Sequence, residues 1–251
     1  MPIGFPVGIP WQANKRRNLL FGINFGLRLQ THNGDRIPIN MFKDIARTQP
    51  ATLAGDAIAS WYDPYSGKAA EQPTLANRPK LQFLSGVPYV VPDGVDDYFS
   101  VADAADISLQ NDSSVFYTVR NLSAGQIMAK DNAATPGAYN LYIISGTANP
   151  NLDRPFIAGG AGTTGPVVFP SVVSIIVNGT AVTFYSDGSP NGSITLPVGT
   201  AATGKPLLIF AFNSTTPGSF SPVPISSMLV FNFFMSPANQ AKVNSYLAHV
   251  K

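Results

Sequence analysis

The chain has 251 residues with 22 glycines, 22 prolines, 45% apolar and only 12% charged residues, a balance far from that of helical proteins and suited to many short strands joined by turns. Its net charge of +2 gives no electrostatic drive toward nucleic acid or an acidic membrane surface. The absence of cysteine excludes disulfides, thiol catalysis and Cys-based zinc sites, so stability must come from packing.

The first segment, residues 1–56, differs in character from the rest. Pro2, Pro6 and Pro10 interleave with Gly4 and Gly8, which prevents a helix and favours an extended path with no core of its own. From Phe21 to Leu29 the apolar residues Phe21, Ile23, Phe25, Leu27 and Leu29 occupy every odd position, the period of a strand with one buried face. Asn33-Gly34 reads as a turn, and Asn40 to Thr48 as a short helix closed by Pro50. We expect this segment to be an anchoring arm, with Trp11, Phe21, Ile23, Phe25 and Leu27 packing onto another subunit. Lys15-Arg16-Arg17 offers too few charges for a nucleic-acid grip. No apolar run reaches the roughly 18 residues needed to span a bilayer, and the basic cluster follows the apolar stretch, the reverse of a secretory signal.

From residue 57 to 251, strand-like runs recur between turn clusters: Pro88–Val91, Val115–Arg120, Tyr139–Ile144, Val172–Val177, Ala181–Tyr185, Leu207–Phe212 and Met228–Met235. Asn178-Gly179 is expected to make a tight hairpin with positive φ at both residues, and Asp187-Gly188 and Asn191-Gly192 mark the next turns. So many short strands imply a sandwich or barrel. The chain then ends differently: Ser236-Pro237 reads as an N-cap with proline at the first helical position, and Val243, Tyr246, Leu247 and Val250 follow at helical spacing.

The strings Arg78-Pro79-Lys80-Leu81, Gly86-Val87-Pro88-Tyr89-Val90 and Asp93-Gly94-Val95-Asp96-Asp97-Tyr98-Phe99 resemble the opening of concanavalin A-like, laminin-G-type domains of phage and bacterial proteins. Ser174 to Thr180 is similar to that family's strand with an N-G turn, and Ile225 to Leu247 to its last strand and terminal helix. One departure is visible: the stretch between Trp61–Pro64 and the Arg78 string is compressed to Tyr65–Asn77. The resemblance implies an all-β, antiparallel jelly-roll sandwich with a C-terminal helix behind the N-terminal arm. It also implies a place on phage particles, on tails, fibres or head surfaces.

Glycan hydrolases need two carboxylates flanking the scissile bond, and this chain has a single glutamate, Glu71, while none of its 13 aspartates forms an alternating strand pair. His32 and His249 are the only histidines and are expected at the surface, which leaves no triad or His-based metal site to build. Asp93, Asp96 and Asp97 lie together at a turn, where two readings stand: a local turn cap, or a calcium site short of the six to eight oxygens that calcium takes. Apart from that calcium reading no cofactor is expected. Tyr62, Tyr65, Tyr98, Tyr139 and Tyr185 are the candidate glycan-stacking residues, whereas Phe184, Phe210, Phe231 and Phe233 read as core.

These features lead to a non-enzymatic structural protein of a phage virion, made in a bacterial host cytoplasm. In this reading the chain is a homo-oligomer whose arm contacts other virion proteins, and the sandwich faces outward to bind host-surface glycan. The alternative is a purely architectural decoration, cement or baseplate protein without a ligand. A carbohydrate-active enzyme is the third reading, and the glutamate count opposes it.

Overall fold

Strands whose side chains alternate between two faces need two apolar partners when both faces are apolar, and here the fold supplies both. The structure, a computed structural model, describes residues 26–32, 38–107, 112–120, 124–130, 139–143, 150–153, 161–163, 167–195, 204–212 and 216–249. Among them, the strands in chain order are β1 (Leu27–Gln30), β2 (Met41–Phe42), β3 (Ser60–Tyr62), β4 (Ala69–Glu71), β5 (Lys80–Leu84), β6 (Val87–Val91), β7 (Phe99–Val101) and β8 (Asp112–Val119). Then come β9 (Gly125–Lys130), β10 (Tyr139–Ile143), β11 (Pro150–Asp153), β12 (Ala161–Thr163), β13 (Ser171–Asn178), β14 (Ala181–Ser186), β15 (Ser189–Thr195), β16 (Leu207–Ile209) and β17 (Ile225–Phe231). Helix α1 (Pro237–Ala248) closes the described chain.

Two antiparallel sheets form a jelly-roll-like sandwich. The first runs β15-β14-β13-β8-β17, and the free edge of β17 is shared by β1, paired along Leu27–Gln30, and by β6, paired at Ile225 with β5 beyond it. The second runs β12-β11-β10-β9-β16-β7-β4-β3-β2. Val115, Tyr117, Val173, Ile175, Met228 and Val230 of the first sheet meet Trp61, Phe99, Met128, Leu207 and Ile209 of the second in one continuous core. The alternate residues of the same strands, Phe116, Val172, Ile176, Leu229 and Phe231, pack outward under Val243, Tyr246 and Leu247 of α1. Apolar burial on both faces is why Val172–Val177 reads as a near-continuous apolar run, interrupted at Ser174, rather than an alternating one.

β1 and β2 precede residue 57 yet pair with β17 and β3, so the sandwich begins before the boundary expected from composition. Leu27 and Leu29 are fully buried in the core between the sheets, as the odd-position pattern requires. Leu27 therefore faces its own chain rather than a neighbouring subunit. Gly26, just before, admits no side chain, because a Cβ there would collide with the Asp106 carbonyl. Trp11, Phe21, Ile23 and Phe25 lie outside the described residues.

Other expectations change. Residues 40–48 form no helix: Asn40 has φ 57, β2 follows, and the Asp44 carboxylate accepts the N–H groups of Thr48 and Gln49 to hold a loop. The β13–β14 hairpin turns on Gly179-Thr180, with Asn178 still paired to Ala181 and only Gly179, φ 60, left-handed. Gly at the first loop position is the type II′ requirement. His32 is 1% exposed, its Nδ1 3.0 Å from the Thr31 hydroxyl, whereas His249 is exposed.

Candidate functional site

The motifs that carry the family resemblance prove to be architectural. The Arg78 guanidinium donates to the carbonyls of Gln72, Lys43 and Pro73 at 2.9, 3.0 and 2.7 Å, tying three loop segments together while Leu81 enters the core. The three clustered aspartates do come together, with one carboxylate oxygen from each within 4.8 Å of the others. Asp93 Oδ1 already accepts the N–H groups of Val95, Asp96 and Asp97, and Asp97 Oδ2 accepts the N–H of Asp93. That is a reciprocally capped turn, the Asx geometry expected of Asp before Gly. Burial pushes the Asp97 carboxyl up to about 6, helped by the negative charges of Asp93 and Asp96 and opposed by the Asp93 N–H. Burial also acts to raise Asp93, but its three backbone hydrogen bonds outweigh it and hold that group below the usual range.

The candidate tyrosines separate. Tyr62 lies under the Arg47 guanidinium, 4.4 Å from its ring centre, and Tyr98 packs beside Phe220 at 6.1 Å. Tyr65 is 60% exposed, with the Arg28 guanidinium 4.3 Å above its ring. Tyr139 opens β10 beside Lys130 of β9. Tyr185 lines a groove.

That groove, about 540 Å³, runs between α1 and the β14–β15 hairpin. Two consecutive left-handed residues, Asp187 (φ 48) and Gly188 (φ 81), turn the hairpin, the pattern of a type I′ turn. The ladder between β13 and β14 continues through it: the Asp187 N–H donates to the Val172 carbonyl at 2.8 Å, and the Val172 N–H donates to Asp187 Oδ1 at 3.0 Å. The hairpin tip is thereby fixed against the sheet. On the helical side, Val243, Tyr246 and Leu247 face the sheet, so the spacing of α1 presents Gln240, Ala241, Asn244, Ser245 and Ala248 to the groove. Asn244 is oriented through its Oδ1, which accepts the Ser174 hydroxyl at 3.3 Å, and Gln240 donates its amide to the Met235 carbonyl at 2.7 Å. A Cβ on Gly188 would lie 3.4 Å from Asn244 Nδ2, so glycine keeps this end open.

The chemistry of the groove is amphipathic and nearly neutral. Tyr185, packed in part against the apolar cluster beneath α1, supplies an aromatic face, and Asn244, Ser245 and Ser189 supply uncharged donors and acceptors. Asp187 is the one carboxylate in its lining among the described residues. Glu71 lies elsewhere, in a hollow of about 260 Å³ with Arg47 and Lys68. Sequence reasoning found Tyr185 and the Asp187-Gly188 turn but missed Gln240, Asn244 and Ser245. Once the helix is placed by Val243, Tyr246 and Leu247, its adjoining flank is the available signal.

Neither a protein-family model nor a curated protein sequence matches the chain. Solved structures do. A Trypanosoma rangeli sialidase in complex with 2,3-difluoro-KDN is similar at TM-score 0.54 and 12% identity, over 95% of this chain and 38% of that one. The same sialidase in complex with sialic acid gives 0.53 at 12% identity, over 94% and 38%. A Ruminococcus gnavus sialidase CBM40 module bound to α2,3 sialyllactose gives 0.45 at 11% identity, over 55% of this chain and 85% of that one. The likeness is one of fold alone, and this chain spans little more than a third of the sialidase.

Proposed function

We propose that this chain is a non-catalytic glycan-binding sandwich that retains sugar in the groove between α1 and the β14–β15 hairpin. The observation that carries this reading is the pairing of Tyr185 with oriented amide and hydroxyl groups in a groove of about 540 Å³. An aromatic face covers the C–H side of a pyranose while neutral polar groups exchange hydrogen bonds with its hydroxyls. A lone carboxylate in the lining supports retention rather than cleavage, because the common glycoside hydrolase mechanism takes two carboxyl groups about 5 to 10 Å apart. The Asp187 carboxylate is moreover engaged by the Val172 N–H.

The finer setting is the surface of a phage particle. It rests on the laminin-G-like strings from Arg78 to Phe99 and on the Gly/Pro-rich segment at the start of the chain, with that segment docking to other virion proteins in a homo-oligomer and the sandwich facing outward. An anchor built this way must lie before Gly26, since removing β1 would strip Leu27 and Leu29 from the core. Deleting residues 1–25 is therefore expected to leave a folded, glycan-retaining sandwich that no longer joins particles. Normal incorporation of the truncated chain would sink the anchor. A folded full-length chain that retains no sugar on a glycan array would sink the lectin reading in favour of a purely architectural role.

A further inference from the structure

We infer that the groove selects uncharged saccharides and discriminates against carboxylated ones such as sialylated glycans; this rests on the glycan-binding reading and narrows its ligand class. Among the described residues, the lining contains no lysine, arginine or histidine, and its one carboxylate is that of Asp187. A sugar carboxylate leaving water needs a cation or several N–H donors to replace its hydration. Here it would meet a like charge on the hairpin tip instead. Neither Lys242 of α1 nor His249, which follows the helix, compensates: Lys242 turns its ammonium to the Asn239 side chain at 3.4 Å, and neither belongs to the lining. Neutral hydroxyls lose nothing by this arrangement. The amide of Asn244 and the hydroxyls of Ser245 and Ser189 offer both donor and acceptor chemistry to sugar hydroxyls. The charge pattern thus separates this groove from a site for sialic acid, although the fold is shared with sialidases.

The test uses the full chain on an array of neutral oligosaccharides, each printed beside its sialylated form, followed by calorimetry on the neutral oligosaccharide retained best and on its sialylated counterpart. Wild type, Tyr185→Ala and Asp187→Asn are compared, the last keeping an oxygen for the Val172 N–H. Neutral sugars are expected to bind at least about tenfold more tightly than their sialylated forms, a difference of 1.4 kcal/mol. Tyr185→Ala is expected to weaken neutral binding by about tenfold, and Asp187→Asn to narrow the gap by improving only the sialylated ligand. A preference for sialylated glycans that Tyr185→Ala abolishes would overturn the charge inference and leave the groove as the site. Retention of no glycan, or glycan binding indifferent to both substitutions, would overturn the glycan-binding reading and this inference with it.

Discussion

The two flanks of helix α1 are built from similar residue types and do opposite things. On the flank facing β1, Tyr246 Oη accepts from Arg28 Nη2 at 3.1 Å and sits 2.7 Å from Gln30 Nε2 and 2.9 Å from Gln30 Oε1, while Arg28 Nε donates to Gln30 at 2.6 Å. Asp63, fully buried, accepts the Arg28 and Tyr65 N–H groups and welds the following loop to the same strand. On the flank facing the hairpin, Tyr185, Asn244 and Ser245 border open space. An aromatic with amides is structural where its polar groups are consumed by neighbours, and becomes a binding surface where solvent-facing capacity remains. Composition alone does not distinguish the two; the partners do.

The largest blow to both flanks at once is Phe231→Ala. Phe231 is fully buried under α1, edge-on to Phe116 at 5.8 Å and beside Phe233 at 5.5 Å. Its loss should cost about 3–5 kcal/mol in denaturant unfolding and unseat the helix on both sides, so glycan retention should fall with it. A normal midpoint would mean that α1 is not held by this cluster.

A pH titration probes a region apart from both flanks. Asp97 is at about 6 in the folded chain against 3.8 unfolded, so the folded state holds its proton more tightly. The stabilisation is fully present below pH 3.8 and is lost as pH rises through about 6, by up to about 3 kcal/mol. Asp97→Asn should flatten this contribution between pH 4 and 7 while leaving glycan binding unchanged. Excess calcium is expected to produce neither heat nor a melting shift, because Asp93 Oδ1 and Asp97 Oδ2 already serve the backbone; a shift abolished by Asp97→Asn would instead assign the loop to calcium.

Tyr246→Phe separates the flanks. Removing one hydroxyl leaves Gln30 and Arg28 short of a partner in a buried setting, a loss of about 1–3 kcal/mol, with sugar affinity unaltered. Gly188→Ala does the reverse: a left-handed residue with a side chain costs about 1–2 kcal/mol at most, while the new methyl against Asn244 Nδ2 should reduce glycan binding more than it reduces the melting temperature. If the two variants affect stability and binding in the same proportion, the division between flanks is wrong.

Much of the first sheet was legible because its strands are long and β-branched: β8, β13, β14 and β17 all overlap expected runs, and Ser236-Pro237 marks the start of α1. The second sheet was mostly not. Several of its strands are three residues of small or polar type, such as Ala69–Glu71 and Ala161–Thr163, where pairing to neighbours overrides weak propensity. The run from Leu207 to Phe212 stops early because Phe210 turns with φ 69, and the last strand starts three residues before Met228. The site was half legible. Tyr185 and the Asp187-Gly188 turn are local signals, but the helix flank that faces them is set by long-range packing of Val243, Tyr246 and Leu247 on β8, β13 and β17, which no local pattern encodes.

Amide chemical-shift mapping with the neutral oligosaccharide retained best by the full chain tests the central claim most directly. The groove predicts that perturbations centre on Gly188, Ser189, Asn244 and Ser245, with Arg28, Tyr65 and Asp93 to Asp97 unmoved. Shifts centred on Tyr65 or on the aspartate turn, with the hairpin flank silent, would contradict it.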